Sequence, residues 1–186
     1  MRITGGLARG IVLKSVDEVV LRPATDYLRQ AVFSSLGDKV MGANFLDIFA
    51  GIGGYGLEAL SRGAYAGVFV ENSHRIAEAL RKNLEAVCKS SGIKDGSRIW
   101  VIDAFKINTE KRFDCIFIDP PYDLVRTHGG KILAHGVQFL RRSERSRLIF
   151  EMPVDVHLVP PDDLRELRRI EKGGKNSPAA VIYTVA

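Results

Sequence analysis

Cysteine is scarce. Cys88 and Cys115 are the only two in 186 residues, they lie far apart, and neither belongs to a CxxC pair. Such usage suits a reducing, cytoplasmic setting, and Cys115, inside an apolar run, reads as a small buried core residue. The four histidines (His74, His128, His135, His157) show no HxxxH spacing, so no metal site is indicated. No apolar stretch approaches the ~20 residues needed to span a bilayer, and no membrane association is expected. The opening Met1-Arg2-Ile3-Thr4-Gly5-Gly6 has no apolar signal core, so no export signal is expected. Internal repeats and low-complexity tracts are absent as well. What is present is a globular mix: 46% hydrophobic and 26% charged residues exclude disorder. The length fits one domain, 1–186, read as an N-terminal arm and helix (1–42) and a core (43–186), with little room for a second recognition domain. Lys and Arg number 27 against 22 Asp and Glu; the net charge of +5 favours a polyanionic partner only weakly.

The patterning alternates. The first 24 residues, rich in Gly and basic residues, read as a small hairpin or arm. Thr25 is placed to cap a helix with Asp26 in its first turn, and Leu28, Val32 and Leu36 recur on one face until Gly37. Strands are expected at 45–50, 67–71, 99–103, 115–119, 148–151 and 179–185. Helices are expected at 56–62, after the cap Ser73, at 131–140 and at 162–169, with 123–130 as a loop able to order over a substrate. Strands alternating with helices mean an open, mostly parallel α/β sheet. Glu71, Asp103, Asp119 and Glu151 fall at the carboxyl ends of expected strands, and Asp47 lies just before a glycine-rich turn. Ligands of such sheets bind outside those ends. Five acids there suit a ligand with hydroxyls, amines or positive charge.

Gly51-Ile52-Gly53-Gly54-Tyr55-Gly56 matches GxGxxG between a strand and a helix, and Glu71 follows Gly51 by 20 residues. That spacing is also a dinucleotide signature, so an NAD-binding oxidoreductase has to be weighed. Against it, Asp47 lies four residues before the first glycine, where it would repel a pyrophosphate, and two further acids end the next strands. Asp119-Pro120-Pro121-Tyr122 has no role in hydride transfer. The run Leu46-Asp47-Ile48-Phe49-Ala50-Gly51-Ile52-Gly53 resembles the class I S-adenosylmethionine-dependent methyltransferases. The resemblance implies a Rossmann-like, mostly parallel seven-stranded sheet with helices on both faces. It also implies a cofactor site at Asp47, Phe49, Ala50, Gly51, Gly53, Glu71, Asn72, Asp103, Ala104 and Asp119. In it Glu71 takes the ribose hydroxyls, and Asp103 with the Ala104 backbone takes the adenine amine.

The tetrapeptide Asp119-Pro120-Pro121-Tyr122 is the catalytic candidate. Two prolines fix two φ angles and make a stiff turn. The Asp119 carboxylate and the Pro120 carbonyl can serve as paired acceptors for an exocyclic NH2, aiming its lone pair at a methyl donor. Tyr122 offers a face for a base that has left its helix. Carbon-5 methylation of pyrimidines would need a cysteine after a proline, and neither cysteine follows one. The target is then an amino nitrogen on a base or a glutamine amide.

A closer resemblance runs through the chain in order. Met1-Arg2-Ile3, Gly5-Gly6 and Arg9-Gly10 are followed by Arg22-Pro23-Ala24-Thr25-Asp26-Tyr27-Leu28-Arg29-Gln30-Ala31-Val32-Phe33, Leu46 to Gly51, Gly56 to Ala64 and the tetrapeptide. The sequence is similar to the bacterial ribosomal small-subunit methyltransferase D family. This implies methylation of the N2 amine of a guanine in 16S ribosomal RNA, on an assembled or assembling small subunit, with S-adenosylmethionine as cofactor. Arg9, Arg22, Asp26, Arg29 and Tyr122 are the matching substrate-side residues; the bland reading of Arg22 and Asp26 is that they pin the arm to the core. Ile52 stands where the family has a small serine, Tyr27 and Ile11 where a basic residue is common, and Gln30 where Glu is usual. N6-adenine methylation of RNA or DNA, and an RNA-binding protein without catalysis, are the rival expectations. Basic clusters at Arg141, Arg142, Arg145 and Arg147, and at Arg168, Arg169, Lys172 and Lys175, are candidates for phosphate contact.

Overall fold

The computed structural model describes residues 1–16, 24–93, 96–171 and 177–186. Seven strands form one sheet in the order β3-β2-β1-β4-β5-β7-β6. They are β1 (Asn44–Ile48), β2 (Ala66–Glu71), β3 (Arg98–Val101), β4 (Cys115–Ile118), β5 (Arg147–Pro153), β6 (Leu164–Glu171) and β7 (Pro178–Val185). The first five run parallel; β7 pairs antiparallel with both β5 and β6. The expected Rossmann-like architecture is therefore present. Among the described residues no helix is long and apolar enough to cross a membrane.

Period-2 alternation sorts the strands onto two cores. Phe45, Phe69, Phe117 and Ile149 face α1 (Ala24–Leu36), α2 (Gly54–Ser61) and α3 (His74–Ser91), while Leu46, Ile48, Ile116, Ile118 and Phe150 face α4 (Tyr122–Val137). Under α2 the core is aromatic. Phe45 meets Phe69 edge-on at 5.2 Å, and Tyr55 stacks on Phe117 at 5.4 Å. Small residues make room for these rings. A Cβ on Gly67 would lie 2.3 Å from the Phe45 ring, and one on Gly56 would lie 2.3 Å from Phe69.

The arm is a short hairpin bridged between Arg2 and Val12. A buried charge network pins it. The Glu58 carboxylate, fully buried on α2, accepts from the Thr4 amide (2.8 Å), the Thr4 hydroxyl (2.7 Å), Arg29 Nε (3.3 Å) and Arg62 Nε (2.7 Å). A buried carboxylate survives only with such compensation.

Several expectations need correction. Residues 162–169 are not a helix: the segment is the edge strand β6, antiparallel to β7 and bulged between Glu166 and Arg168. Its dense charge imitates a solvated helix, but only Leu164 and Ile170 are buried, as an edge strand allows. The helix expected at 131–140 is α4, which starts at Tyr122, so 123–130 is no loop. Val125, Gly129, Ile132, Leu133 and Gly136 make its buried face. Gly129 and Gly136 are close-packing sites against Leu158 and Ile118. Helix α1 already includes Ala24, so Thr25 lies inside its first turn rather than at its cap. Residues 17–23 of the expected arm, Arg22 among them, and Lys172 and Lys175 lie outside the described residues.

The Phe45–Gly67 fit supplies a stability test. Gly67→Ala is expected to cost about 1–3 kcal/mol through overpacking of a rigid ring, read as a lowered midpoint in urea unfolding. An unchanged midpoint would show that the Phe45 ring is free to move aside.

Candidate active site

Parallel strands put their carboxyl ends on one edge, and the acids follow the sheet order. Asp103 follows β3, Glu71 ends β2, Asp47 lies in β1, Asp119 follows β4, and Glu151 lies in β5, two residues before its end. Between β1 and α2 the chain turns sharply. Phe49 (φ 65°), Gly51 (φ 54°) and Gly53 (φ 96°) all occupy the left-handed region. A bulky residue there stores strain, a recurrent feature of functional turns. The turn is held by two backbone bonds, Ala50 N–H to the Val70 carbonyl (2.9 Å) and Gly53 N–H to the Ala50 carbonyl (2.8 Å).

Two carboxylates clamp this turn. Glu71 accepts from the Gly51 amide (3.0 Å) and the Ser73 amide (2.8 Å), which fixes its plane at the tip of β2. Asp47 accepts from the Gly56 amide at 2.8 Å and is buried. Burial pushes the Asp47 carboxyl up to about 8; the Gly56 bond opposes this, and the nearby Asp119 and Glu71 charges add to it. The acids therefore act on one another.

Two cavities open along this edge and share Phe49, Glu71, Asn72 and Leu124. The smaller, about 230 Å³, is a slot with apolar walls from Val70, Ile102 and Phe105, and with Glu71, Asn72 and Asp103 as its polar groups. Those walls suit a flat aromatic base, and the polar groups suit its amine and a sugar. His135 is not among the lining residues but is tied to the slot by a 2.9 Å bond between its Nε2 and the Ala104 carbonyl. The larger cavity, about 800 Å³, is bounded by Asp47, Gly51, Glu71, the whole tetrapeptide Asp119 to Tyr122, Arg29 and Glu151. Together they have room and donor chemistry for a nucleoside with a charged tail beside a second planar group.

Pro121 is the N-cap of α4, and its carbonyl accepts from Leu124 and Val125, both at 3.0 Å. Of the two proline carbonyls it is the one committed to the helix. Tyr122 opens α4, so its ring is carried by the first turn of a helix rather than by a loop.

Most expected site residues converge here: Asp47, Phe49, Ala50, Gly51, Glu71, Asn72, Asp103, Ala104, Asp119, Pro120, Pro121, Tyr122 and Arg29 all line one or both cavities. Gly53 shapes the turn from behind; a Cβ there would lie 2.5 Å from Leu80. Asp26 lines neither cavity and instead pairs with Arg29 at 2.9 Å. Arg9 is exposed on the arm and lines neither cavity, and Arg22 lies outside the described residues. The cluster at 141–147 sits at the opposite end of the strands. There Arg141 pairs with Asp114 (2.7 Å), Arg142 with Asp163, and Arg145 with Asp38 (3.2 Å). These arginines pin loops. Glu151, one of the five acids expected along this edge, accepts a buried 2.9 Å bond from the hydroxyl of Tyr55, to which sequence reasoning gave no role, and the pair forms part of the wall. Burial and the Glu151 charge raise the Tyr55 hydroxyl well above its ordinary range. Among the described residues no group of three His, Cys, Asp or Glu could hold a metal ion.

Comparison with known proteins places this geometry. The profile of a family described as conserved hypothetical protein 95 matches residues 1–178. Ribosomal RNA small subunit methyltransferase D of Escherichia coli is 36% identical over 124 residues, 66% of this chain and 60% of that protein. The Haemophilus influenzae protein of the same name is 35% identical over 123 residues, 66% of this chain and 64% of that protein. The matched stretch thus spans less than two thirds of these relatives. Among solved structures, Escherichia coli yhhF superposes with a TM-score of 0.80 at 25% identity, covering 100% of this chain and 98% of that one. The N-methyltransferase NodS of Bradyrhizobium japonicum shares the fold, with a TM-score of 0.63 at 14% identity over 90% and 98% of the two chains.

The buried Asp47 carboxyl predicts a pH signature. Its ordinary value is 3.8 and its folded value about 8. Between those limits the folded state holds a proton that the unfolded chain has lost, so this group's contribution to stability falls as pH rises and levels off above about 8. Asp47→Asn keeps an acceptor for Gly56 and removes the titration. The melting temperature of the variant relative to the parent should therefore rise from pH 5 to pH 8.5. A difference that is flat across that range contradicts the assignment.

Proposed function

The chain belongs to the conserved hypothetical protein 95 family, the family of ribosomal small-subunit methyltransferase D, and from that membership we propose that it methylates the N2 amine of a guanine in 16S ribosomal RNA, using S-adenosylmethionine. One observation carries the reading. The Asp119-Pro120-Pro121-Tyr122 turn borders the same cavity as the glycine turn and Glu71, so an amine acceptor and a nucleoside slot face one another. The adenine would lie between Ile102, Val70 and Phe105, with Asp103 at its amine. Glu71, fixed by the Gly51 and Ser73 amides, would meet the ribose. When bound, S-adenosylmethionine supplies an electrophilic methyl group on a cationic sulfur.

The chain's own residues do the rest by position and charge. The Asp119 carboxylate and the Pro120 carbonyl accept from the target N–H groups, which holds the amine lone pair in line with the methyl. As the N–C bond forms and the methyl–sulfur bond breaks with its electron pair left on sulfur, positive charge develops on nitrogen, and the Asp119 carboxylate stabilises it. The surplus proton then passes to water. Tyr122 stacks on the base, and because it stands on the first turn of α4 its ring is held in place before the base arrives. A cofactor domain that fills most of the chain leaves the arm, α1 and the cavity rim to meet the RNA. Such a small surface suits recognition of a folded ribonucleoprotein, an assembled or assembling small subunit, by shape.

Labelled S-adenosylmethionine supplied with unmodified small subunits, or with naked 16S RNA, tests the substrate. N2-methylguanosine is expected, and N6-methyladenosine as the labelled product would overturn the guanine reading. Asp119→Ala should lower turnover by about 100-fold or more while leaving cofactor affinity within a few-fold. Turnover near the parent's would remove Asp119 from its role.

A further inference from the structure

Strand β6 takes no part in the site above, and it sorts its charges by face. Arg169 belongs to the α4 side. Its Nη2 donates to the Val154 carbonyl (2.7 Å) and the Val156 carbonyl (3.2 Å), and its Nε pairs with Glu171 at 3.2 Å. It therefore ties down the chain that leaves β5. Successive strand residues point to opposite faces, so Arg168 shares a face with Ile170, which joins the core under α1. Arg165 and Arg168 are three positions apart, a spacing that in a regular strand puts two side chains on opposite faces. The bulge cancels that. Arg165 is paired with Thr184, Glu166 with Tyr183 and Arg168 with Ile182, so Leu167 is the extra residue. Both arginines thus stand on the α1 side, opposite partners two positions apart on β7. Glu166 falls on the α4 side with Tyr183. Arg165 and Arg168 are exposed, and neither pairs with an acid among the described residues. The arginines near residue 145, by contrast, are bonded to Asp114, Asp163 and Asp38.

The sheet fixes where this pair lies. Ile182 is level with Ile149, and Ile149 with Phe117, two residues before Asp119. Three strand spacings separate β6 from β4, about 14 Å. Helix α1 covers the interval. It turns Arg29 toward Glu58 of α2 and Phe33 toward Tyr55, while Leu28, Val32 and Leu36 are buried. Helical spacing leaves Tyr27, Ala31 and Ser35 on the flank toward β7 and β6, and Tyr27 is half exposed. Tyr27 is two residues from Arg29, which lines the larger cavity. A surface therefore leads from the cavity rim, past an aromatic ring, to two free guanidinium groups about 7 Å apart along the strand. Such a series matches the bases and repeating phosphates of an RNA strand.

We propose that Arg165 and Arg168, on the α1 face of β6, bind backbone phosphates of the RNA strand adjoining the target base, and that the bulge at Leu167 serves to bring both arginines to that face. This rests on the reading above, in which RNA is the substrate. RNA fits the surface better than an acidic protein segment does, because the ring beside the two cations serves bases.

Filter binding of small subunits, and separately of naked 16S RNA, across a salt series compares the parent chain with the double variant Arg165→Gln/Arg168→Gln. Two lost single-strand phosphate contacts should lower the slope of log affinity against log salt by about 1.4, which is about 25-fold in affinity at 0.1 M salt. S-adenosylmethionine affinity and kcat at saturating subunits should match the parent's, and circular dichroism checks the fold. Arg141→Gln/Arg142→Gln removes the same net charge and should leave the slope unchanged; an equal fall in both double variants marks a general charge effect and overturns the assignment. Parallel salt plots for parent and Arg165→Gln/Arg168→Gln overturn it too. A loss on subunits alone, with naked RNA held as tightly as by the parent, gives the surface to a ribosomal protein and overturns the RNA contact. A parent chain that shows the slope change yet transfers no methyl group overturns the methyl-transfer reading and leaves the surface standing. Methyl transfer with parallel plots does the reverse.

Discussion

The bond from the Gly56 amide to the Asp47 carboxylate ties the first strand to the helix that follows it, and much of the molecule is arranged around that closure. To bring α2 back over β1 within so few residues, the chain takes left-handed conformations at Phe49, Gly51 and Gly53. The helix then lies close enough that Gly56 touches the Phe69 ring and Gly67 must clear Phe45. Tyr55 is carried inward onto Phe117 and reaches Glu151, and Glu58 comes to the point where arm, α1 and α2 meet. Cavity floor, aromatic core and arm docking are consequences of one tight turn.

Much of this was legible in the residues because local pattern and tertiary need coincide. Leu46 to Gly51 reads as a buried strand and a turn since its hydrophobic run and glycines serve both. Ser73 reads as a cap and is one, accepting from the Ile76 amide. The misreadings arose where the two diverge. Residues 123–130 read as a loop, yet they form the first half of α4, where Gly129 packs against Leu158, information that resides in another segment. The strand at 164–171 carries charge that suits a helix surface; its pairing with β7 is nonlocal and outweighs propensity.

The site divides in the same way. Asp119-Pro120-Pro121-Tyr122, Glu71 and Asp103 were readable because strand order alone brings their ends together. Arg29 was readable only as a motif match. Its geometry, with Nε bonded to Glu58 and Nη2 to Asp26 and the Arg2 carbonyl, depends on the arm, α1 and α2 meeting at one point. Tyr55 and Glu151 are separated by 96 residues, and no spacing rule links them. The modest net charge is also resolved into parts. Acids gather at one rim of the sheet, and the arginines near residue 145 neutralise acids at the other.

The two lateral borders of the sheet, β3 and β6, differ in what they offer another strand. Every open sheet exposes unpaired backbone along its outermost strands, a template onto which another chain can add. Here one border is β3, four residues long and beginning with an exposed Arg98. The other is β6, whose outward positions carry Arg165, Glu166 and Arg168 and whose ladder is interrupted by a bulge. An incoming strand would meet brevity at one border, and charge and a broken register at the other. The dense charge that disguises β6 in the sequence thereby serves colloidal behaviour: it guards a sheet of this width against fibrillar self-addition at the concentrations of a crowded cell.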